Sequence, residues 1–283
     1  MVSDAPQLSG GSLLIAWQLR NKHVLIVGGG EVASGRIESI LVADASISLI
    51  CPRAGLHPRS RRLIEQHPDR ITYHDRVFSG PGDLEDIDMV LTAIDDVSRS
   101  REIYSLCRDT KIPVNVADIP DACDFYFGSQ VRDGPLQIMI STNGESPKMS
   151  AMIRRRIERC LEGYEGEAIA KAGVLRQQLK ERAPGVGGDV GRRRMRWMID
   201  ICNAWEMEDF TLLDDEMIKR LLDEGWEKNI VPSVEDVGGT SRRASRRRED
   251  PEASTLSIVL PSLGAFLAGA AFATLGLMLK RRR

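Results

Sequence analysis

The feature that most constrains this chain is the apolar run His23-Val24-Leu25-Ile26-Val27, followed at once by Gly28-Gly29-Gly30-Glu31-Val32-Ala33. A continuous apolar run closed by glycines reads as a strand buried on both faces, as in a parallel sheet. Residues 31–43 then have helical spacing, with Val32, Ile37, Ile40 and Leu41 apolar. The turn between strand and helix fits Gly-x-Gly-x-x-Ala. Its first glycine permits the tight turn, Gly30 lets backbone approach a pyrophosphate, and Ala33 keeps the helix close to the strand. The helix N-terminus offers N–H groups and a partial positive charge to the phosphates. Gly28, Gly30, Glu31, Val32 and Ala33 are therefore candidate dinucleotide-binding residues.

The alternation continues. Residues 46–50 read as a second strand stopped by Cys51-Pro52, residues 60–66 as part of a helix, and residues 71–74 as a third strand. Residues 89–93 and 114–116 read as the fourth and fifth strands, with a helix over 99–109 between them. Strands alternating with helices predict an α/β class, with a Rossmann-type parallel sheet over residues 1–118. The pattern then changes. Residues 125–127 and 136–141 read as strands around the turn Arg132-Asp133-Gly134-Pro135, and a helix starts at Pro147 with Ser146 as its N-cap. Residues 119–163 are thus a small α+β segment. Residues 164–232 are a charged helical domain broken at Pro184-Gly185-Val186-Gly187-Gly188.

Beyond residue 232, composition is the guide. Residues 233–254 are polar, carry Arg242-Arg243 and Arg246-Arg247-Arg248, and read as a disordered basic linker. Residues 255–279 hold no charge and precede Lys280-Arg281-Arg282-Arg283. That run is long enough for a transmembrane helix, and Pro261 is tolerated there; a buried core helix is the alternative. Basic residues flank both ends, so charge bias does not orient the span. Residues 13–17 are apolar but too short for a signal peptide. A net charge of −2 and few aromatics argue against a nucleic-acid partner. The five cysteines form no Cys-x-x-Cys pair and read as reduced thiols. The histidines lack metal-ligand spacing, so no resident metal is expected.

Two further stretches lie where strands end, which is where ligands bind in open parallel sheets. In Thr92-Ala93-Ile94-Asp95-Asp96, Thr92 and Asp95 can line the cofactor cleft, while the aspartates can equally cap the next helix. Asp118, directly after the fifth strand, is placed either as a general base near the cofactor or as a turn former before Ile119-Pro120. The acid expected about 20 residues beyond the glycine loop is missing. Arg53 stands near that place, and spacing alone leaves NAD and NADP open.

Taken together, the glycine loop, Asn115-Val116-Ala117-Asp118, Asp124-Phe125 and Ser141-Thr142-Asn143-Gly144-Glu145-Ser146-Pro147 stand in the order and spacing of the siroheme-synthase family. Over residues 13–226 the chain resembles its fungal-type members, bifunctional precorrin-2 dehydrogenases and sirohydrochlorin ferrochelatases. The resemblance implies NAD-dependent oxidation of precorrin-2, then insertion of ferrous iron at the same site, with iron a transient substrate. It implies a homodimer interlocked through the segment after Asp118, and no methyltransferase domain of the kind that fused bacterial relatives carry. It makes Asp118 the catalytic carboxylate of both steps, a role that works best when the group is buried. It also places Asn115, Thr142, Asn143 and Ser146 at the tetrapyrrole site. Arg154, Arg155 and Arg156 can pair with substrate carboxylates, because guanidinium forks match them, or can form a solvated helix face. A dehydrogenase without chelatase activity and a membrane-tethered NAD-sensing scaffold are the competing readings. The expected location is a cytosolic catalytic domain anchored by its tail in the mitochondrial outer membrane or the endoplasmic reticulum.

Overall fold

The computed structural model describes residues 11–240. Within them the chain divides into two compact units, one of residues 11–129 and 139–155, the other of residues 130–138 and 156–240.

The first unit is built on a parallel sheet of β1 (His23–Val27), β2 (Ser46–Ile50), β3 (Ile71–His74), β4 (Met89–Thr92) and β5 (Val114–Val116), in the order β3-β2-β1-β4-β5. Side chains alternate across a strand, and both faces of this sheet are covered. Val24 and Ile26 pack with Ala33, Ile37 and Ile40 of α1 (Glu31–Val42). Leu25 and Val27 pack on the other face with Val90, Val114 and, from α3 (Val97–Thr110), Ile103 and Cys107. The helix α2 (Pro58–Gln66) starts at a proline and is N-capped by His57, whose Nδ1 accepts from the Arg59 amide.

The connection from β3 to β4 carries no α-helix. Phe78 and Leu84 plug the sheet face there, and the chain between them is held by Asp83. Both Asp83 oxygens accept from Arg76, at 2.6 and 2.9 Å, and one also accepts from the Ser79 amide at 2.7 Å.

Residues 125–127 are not the strand that their aromatic run suggested. They are spent on packing instead: Trp17 meets Phe125 edge-on with centroids 6.0 Å apart, and Phe125 lies 5.8 Å from Phe127. The strand begins later, as β6 (Ser129–Asp133), and pairs only with β7 (Leu136–Ile140). The helix α4 (Pro147–Glu158) follows. The residues of the segment 119–163 divide between the two units, 119–129 and 139–155 with the first and the rest with the second.

The second unit contains α5 (Glu165–Arg182), α6 (Gly188–Ala204) and α7 (Asp215–Arg220), which runs on as a π-helical turn over Leu221–Trp226. The predicted break at the Pro184–Gly188 glycines separates α5 from α6. Leu175, Leu179, Trp197, Ile201, Leu221 and Trp226 form its core. Val234 and Val237 belong to the same core. The linker expected from residue 233 therefore begins as packed chain, because two valines three apart can bury one side of an otherwise polar stretch. Residues 241–254 and the uncharged run 255–279 lie outside the described residues. Among the described residues, no helix is long and apolar enough to cross a membrane.

Candidate active site

The strand register sets the site. Val27 aligns with Ile50 on one side and Thr92 on the other, and Thr92 aligns with Val116. Gly28, Cys51, Ala93 and Ala117 thus leave the sheet along one carboxyl edge. The chain moves outward from β1 through β2 to β3 and then returns to β4, so the crevice between β1 and β4 is the topological switch point where such sheets bind ligands.

Gly28 stands in that crevice with φ 111°. A Cβ there would lie 2.1 Å from the Ala93 carbonyl oxygen, so only glycine fits. At Gly29 a Cβ would meet Cys51 Sγ and Leu56 Cδ2 at 2.7 Å. Gly30 differs: nothing stands within 4 Å of its missing Cβ. The loop turns its carbonyls inward. Gly29 oxygen accepts from the His57 amide at 2.9 Å and from the buried Ser60 hydroxyl at 2.8 Å. Gly30 is the N-cap of α1, and no side chain caps that helix end. Open space over Gly30 and an uncapped helix N-terminus together form a cradle for a pyrophosphate. Ala33 is fully buried against the sheet, while Glu31 and Val32 are exposed in the first turn.

Thr92 closes β4 and is buried; its Oγ1 is a buried side-chain polar atom with no partner among the described residues. Buried polar atoms are nearly always paired, so an orphan beside a ligand crevice fits a bound group. Of the two aspartates beyond it, Asp96 caps α3, accepting from the Arg99 amide at 2.9 Å, and Asp95 stays exposed.

Asn115 and Asp118 separate in kind. Asn115 is buried in β5, and its amide donates to Cys123 Sγ at 3.4 Å and to the Phe125 carbonyl at 2.8 Å. Its amide donors thus hold the following loop. Asp118 follows β5 with φ 61°, a left-handed conformation that aspartate tolerates better than most residues. It is exposed in the single chain, contrary to the expected burial. Beneath it, Cys123 Sγ donates to the Val116 carbonyl at 3.1 Å, and burial pushes that thiol up from its ordinary value.

Sequence reasoning passed over Arg36. It lies on the second turn of α1, partly buried, with its guanidinium 3.8 Å above the Phe127 ring. Burial pulls its proton affinity below the ordinary value, while the charges of Cys123 and Asp118 act in the opposite direction. Its spacing was the available signal: position 36 falls one turn after Ala33, on the side of α1 that faces the sheet.

Residues 142–146 form a tight turn ahead of α4. Thr142 Oγ1 accepts from the Ser146 amide at 3.2 Å, Asn143 has φ 51°, and the Ser12 hydroxyl donates to Asn143 Oδ1. On α4, Arg154 is partly buried and Arg155 and Arg156 are exposed.

Comparison with known proteins matches three successive stretches of the chain. Residues 15–129 match an NAD(P)-binding family model, residues 133–159 the central model of sirohaem biosynthesis proteins, and residues 163–232 their C-terminal model. A siroheme biosynthesis protein of Schizosaccharomyces pombe is 48% identical over 228 residues, which span 81% of this chain and 84% of that one. The chain belongs to the siroheme-synthase family. A siroheme biosynthesis protein of Saccharomyces cerevisiae, another relative, is 32% identical over 75% of this chain and 89% of its own. In fold, this siroheme-synthase chain is similar to the solved structure of SirC, a precorrin-2 dehydrogenase, with TM-score 0.57 and 19% identity over 75% of this chain and 98% of that one. The cofactor cradle of the siroheme-synthase chain thus coincides with the part matched as NAD(P)-binding.

Proposed function

We propose that the chain oxidises precorrin-2 to sirohydrochlorin with NAD and then inserts ferrous iron to give siroheme. The observation that carries this reading is the juxtaposition, on one sheet edge, of the open glycine cradle and the solvent-facing carboxylate of Asp118. Gly28 and Gly30, the Val32 and Ala33 turn and Thr92 would hold the cofactor, which supplies a hydride acceptor when bound. Asp118 takes the proton that leaves as the hydride departs. In the second step the same carboxylate accepts pyrrole N–H protons, two of which must leave when one ferrous ion enters the ring. Residues 142–146, with Arg154 and Arg155, supply polar and cationic groups suited to a substrate rich in carboxylates.

Exposure of Asp118 in one chain supports a site completed by a second copy. Met149, Met152 and Ile153 of α4 are exposed large apolar side chains, as a homodimer face requires. The uncharged run of residues 255–279 with its basic tip supports a tail anchor that holds the catalytic part on the cytosolic side of the mitochondrial outer membrane or endoplasmic reticulum.

Purified protein given precorrin-2 and NAD should form NADH and sirohydrochlorin, and added ferrous iron should yield siroheme faster than the spontaneous rate. Absence of NADH rejects the reading; NADH without accelerated siroheme reduces it to a dehydrogenase alone. Deleting residues 255–283 should leave turnover intact and release the protein from membranes.

A further inference from the structure

Most arginines of the first unit are satisfied within it or stand in water, as Arg61 and Arg62 do on the exposed face of α2. Those near an acid are paired: Arg20 with Asp44, Arg59 with Glu38, Arg76 with Asp83, Arg99 with Glu102, Arg101 with Asp121 and Arg108 with Asp124. Arg70, partly buried and without an acid, donates instead to the Ala45 carbonyl at 2.6 Å. Arg36 does neither. It is partly buried, and among the described residues its guanidinium donates to no carbonyl or carboxylate; its recorded contact is the face of Phe127. A partly desolvated cation with no acceptor in its own chain gains from an anion that replaces the water on its open side.

The surroundings fix what kind of anion. Phe127 lies against Phe125, whose carbonyl is bonded by Asn115, so a chain of contacts links the guanidinium to β5. Asp118 leaves the same strand end, and its charge is felt at Arg36. Arg36 also sits six residues beyond the N-cap of α1, about 9 Å along the helix from the pyrophosphate cradle. Stacking on an aromatic ring leaves the guanidinium edge free and flat, which suits a two-pronged bond to a carboxylate.

We infer that Arg36 is a substrate-binding residue, taking one carboxylate of the tetrapyrrole in a bidentate bond and thereby setting the ring edge against Asp118. The inference rests on the proposed dehydrogenase reading. It gives Phe127 a purpose as the platform that prearranges the fork, and it gives Asn115 one as the brace of that platform.

The test is steady-state kinetics on the full chain with enzymatically made precorrin-2, in wild type, Arg36→Met and Arg36→Lys, alongside direct NAD binding. Methionine keeps an apolar stem against Phe127 and removes the charge and fork. A charge-assisted bond of this kind makes the KM for precorrin-2 rise at least about tenfold in Arg36→Met, with NAD affinity within about twofold of wild type. Lysine keeps the charge but not the fork, so its KM falls between the two. A KM for precorrin-2 unchanged in Arg36→Met overturns the inference, because a packing role alone would leave it so. Loss of NAD affinity with an unchanged precorrin-2 KM also overturns it, and assigns the cation to the cofactor phosphates. Should Arg36→Met fail to fold, Arg36→Lys decides: a wild-type KM there rejects the fork. Wild-type protein that forms no NADH rejects the functional reading and this inference together, whereas wild-type turnover with an insensitive Arg36 rejects the inference only.

Discussion

In the helical unit the indole of Trp197 donates to the Ile230 carbonyl at 2.8 Å, and that of Trp205 to the Pro232 carbonyl at 3.0 Å. Arg193 covers Trp226 at 3.9 Å and also donates to its carbonyl. In the sheet unit, by contrast, Thr92 Oγ1 is buried without a partner and the partly buried Arg36 has no acceptor among the described residues. Among the described residues the helical unit leaves no buried side-chain polar atom unpartnered, whereas the sheet unit leaves Thr92 Oγ1 so. Open groups cost stability unless a ligand completes them. The difference fits the proposed placing of the chemistry in the sheet unit, and each unit can be perturbed separately.

The largest effect should come at Gly28. Any side chain there carries both a φ of 111° and a clash with the Ala93 carbonyl. Gly28→Ala should cost about 4 kcal/mol or more and abolish NAD binding, seen in thermal melts and cofactor titration. An alanine variant with wild-type NAD affinity would mean that the crevice between β1 and β4 is not the cofactor site.

Asp118 comes next. Asparagine tolerates the left-handed backbone that this position requires, so Asp118→Asn isolates the chemistry from the turn. Its kcat for NADH formation should fall about 10²- to 10⁴-fold, with NAD affinity unchanged. Turnover at the wild-type rate would leave Asp118 as a turn former.

Leu179 is the counterpart in the helical unit, buried to within 1% of its surface. Leu179→Ala should cost about 2–5 kcal/mol in chemical denaturation. NAD affinity should nonetheless hold wherever the protein stays folded. A parallel loss of cofactor binding would show that the two units do not divide the work as their hydrogen bonding indicates.

Much of this arrangement was legible in the chain. All five parallel strands lie within a residue of the positions read from apolar runs, because a strand buried on both faces has no competing polar pattern. The glycine loop was legible because Gly28 and Gly29 answer local demands for space. What escaped notice depends on contacts distant in sequence. The aromatic run at residues 125–127 looks like a strand until Trp17 and Arg36 are seen to occupy its side chains. That the Asn115 amide reaches Cys123 and Phe125 was likewise not to be read from its place in the strand. Arg36 belongs to a helix whose pattern had already been explained by its apolar residues, and nothing local marks its guanidinium as unpaired. Val234 and Val237 were hidden in a polar stretch because two residues give no period to read.

The smallest expected effect tests how the sheet unit closes where it lacks a helix. Asp83, held by Arg76 and Ser79, has its carboxyl lowered to about 2 from 3.8, the Arg76 hydrogen bonds being the main cause. A folded-state value below the unfolded one contributes stability that is complete above about pH 4 and is lost as pH falls toward 2. Arg76 is partly solvent-exposed, which screens the pair, so Asp83→Asn should cost only about 1 kcal/mol at neutral pH. The wild type should lose that increment between about pH 4 and 2, and the variant should show a flatter stability curve over the same window. The helical unit does not contain this clamp. If the difference between wild type and variant persists undiminished at pH 2, packing of Phe78 and Leu84, rather than the carboxylate, holds the connection between β3 and β4.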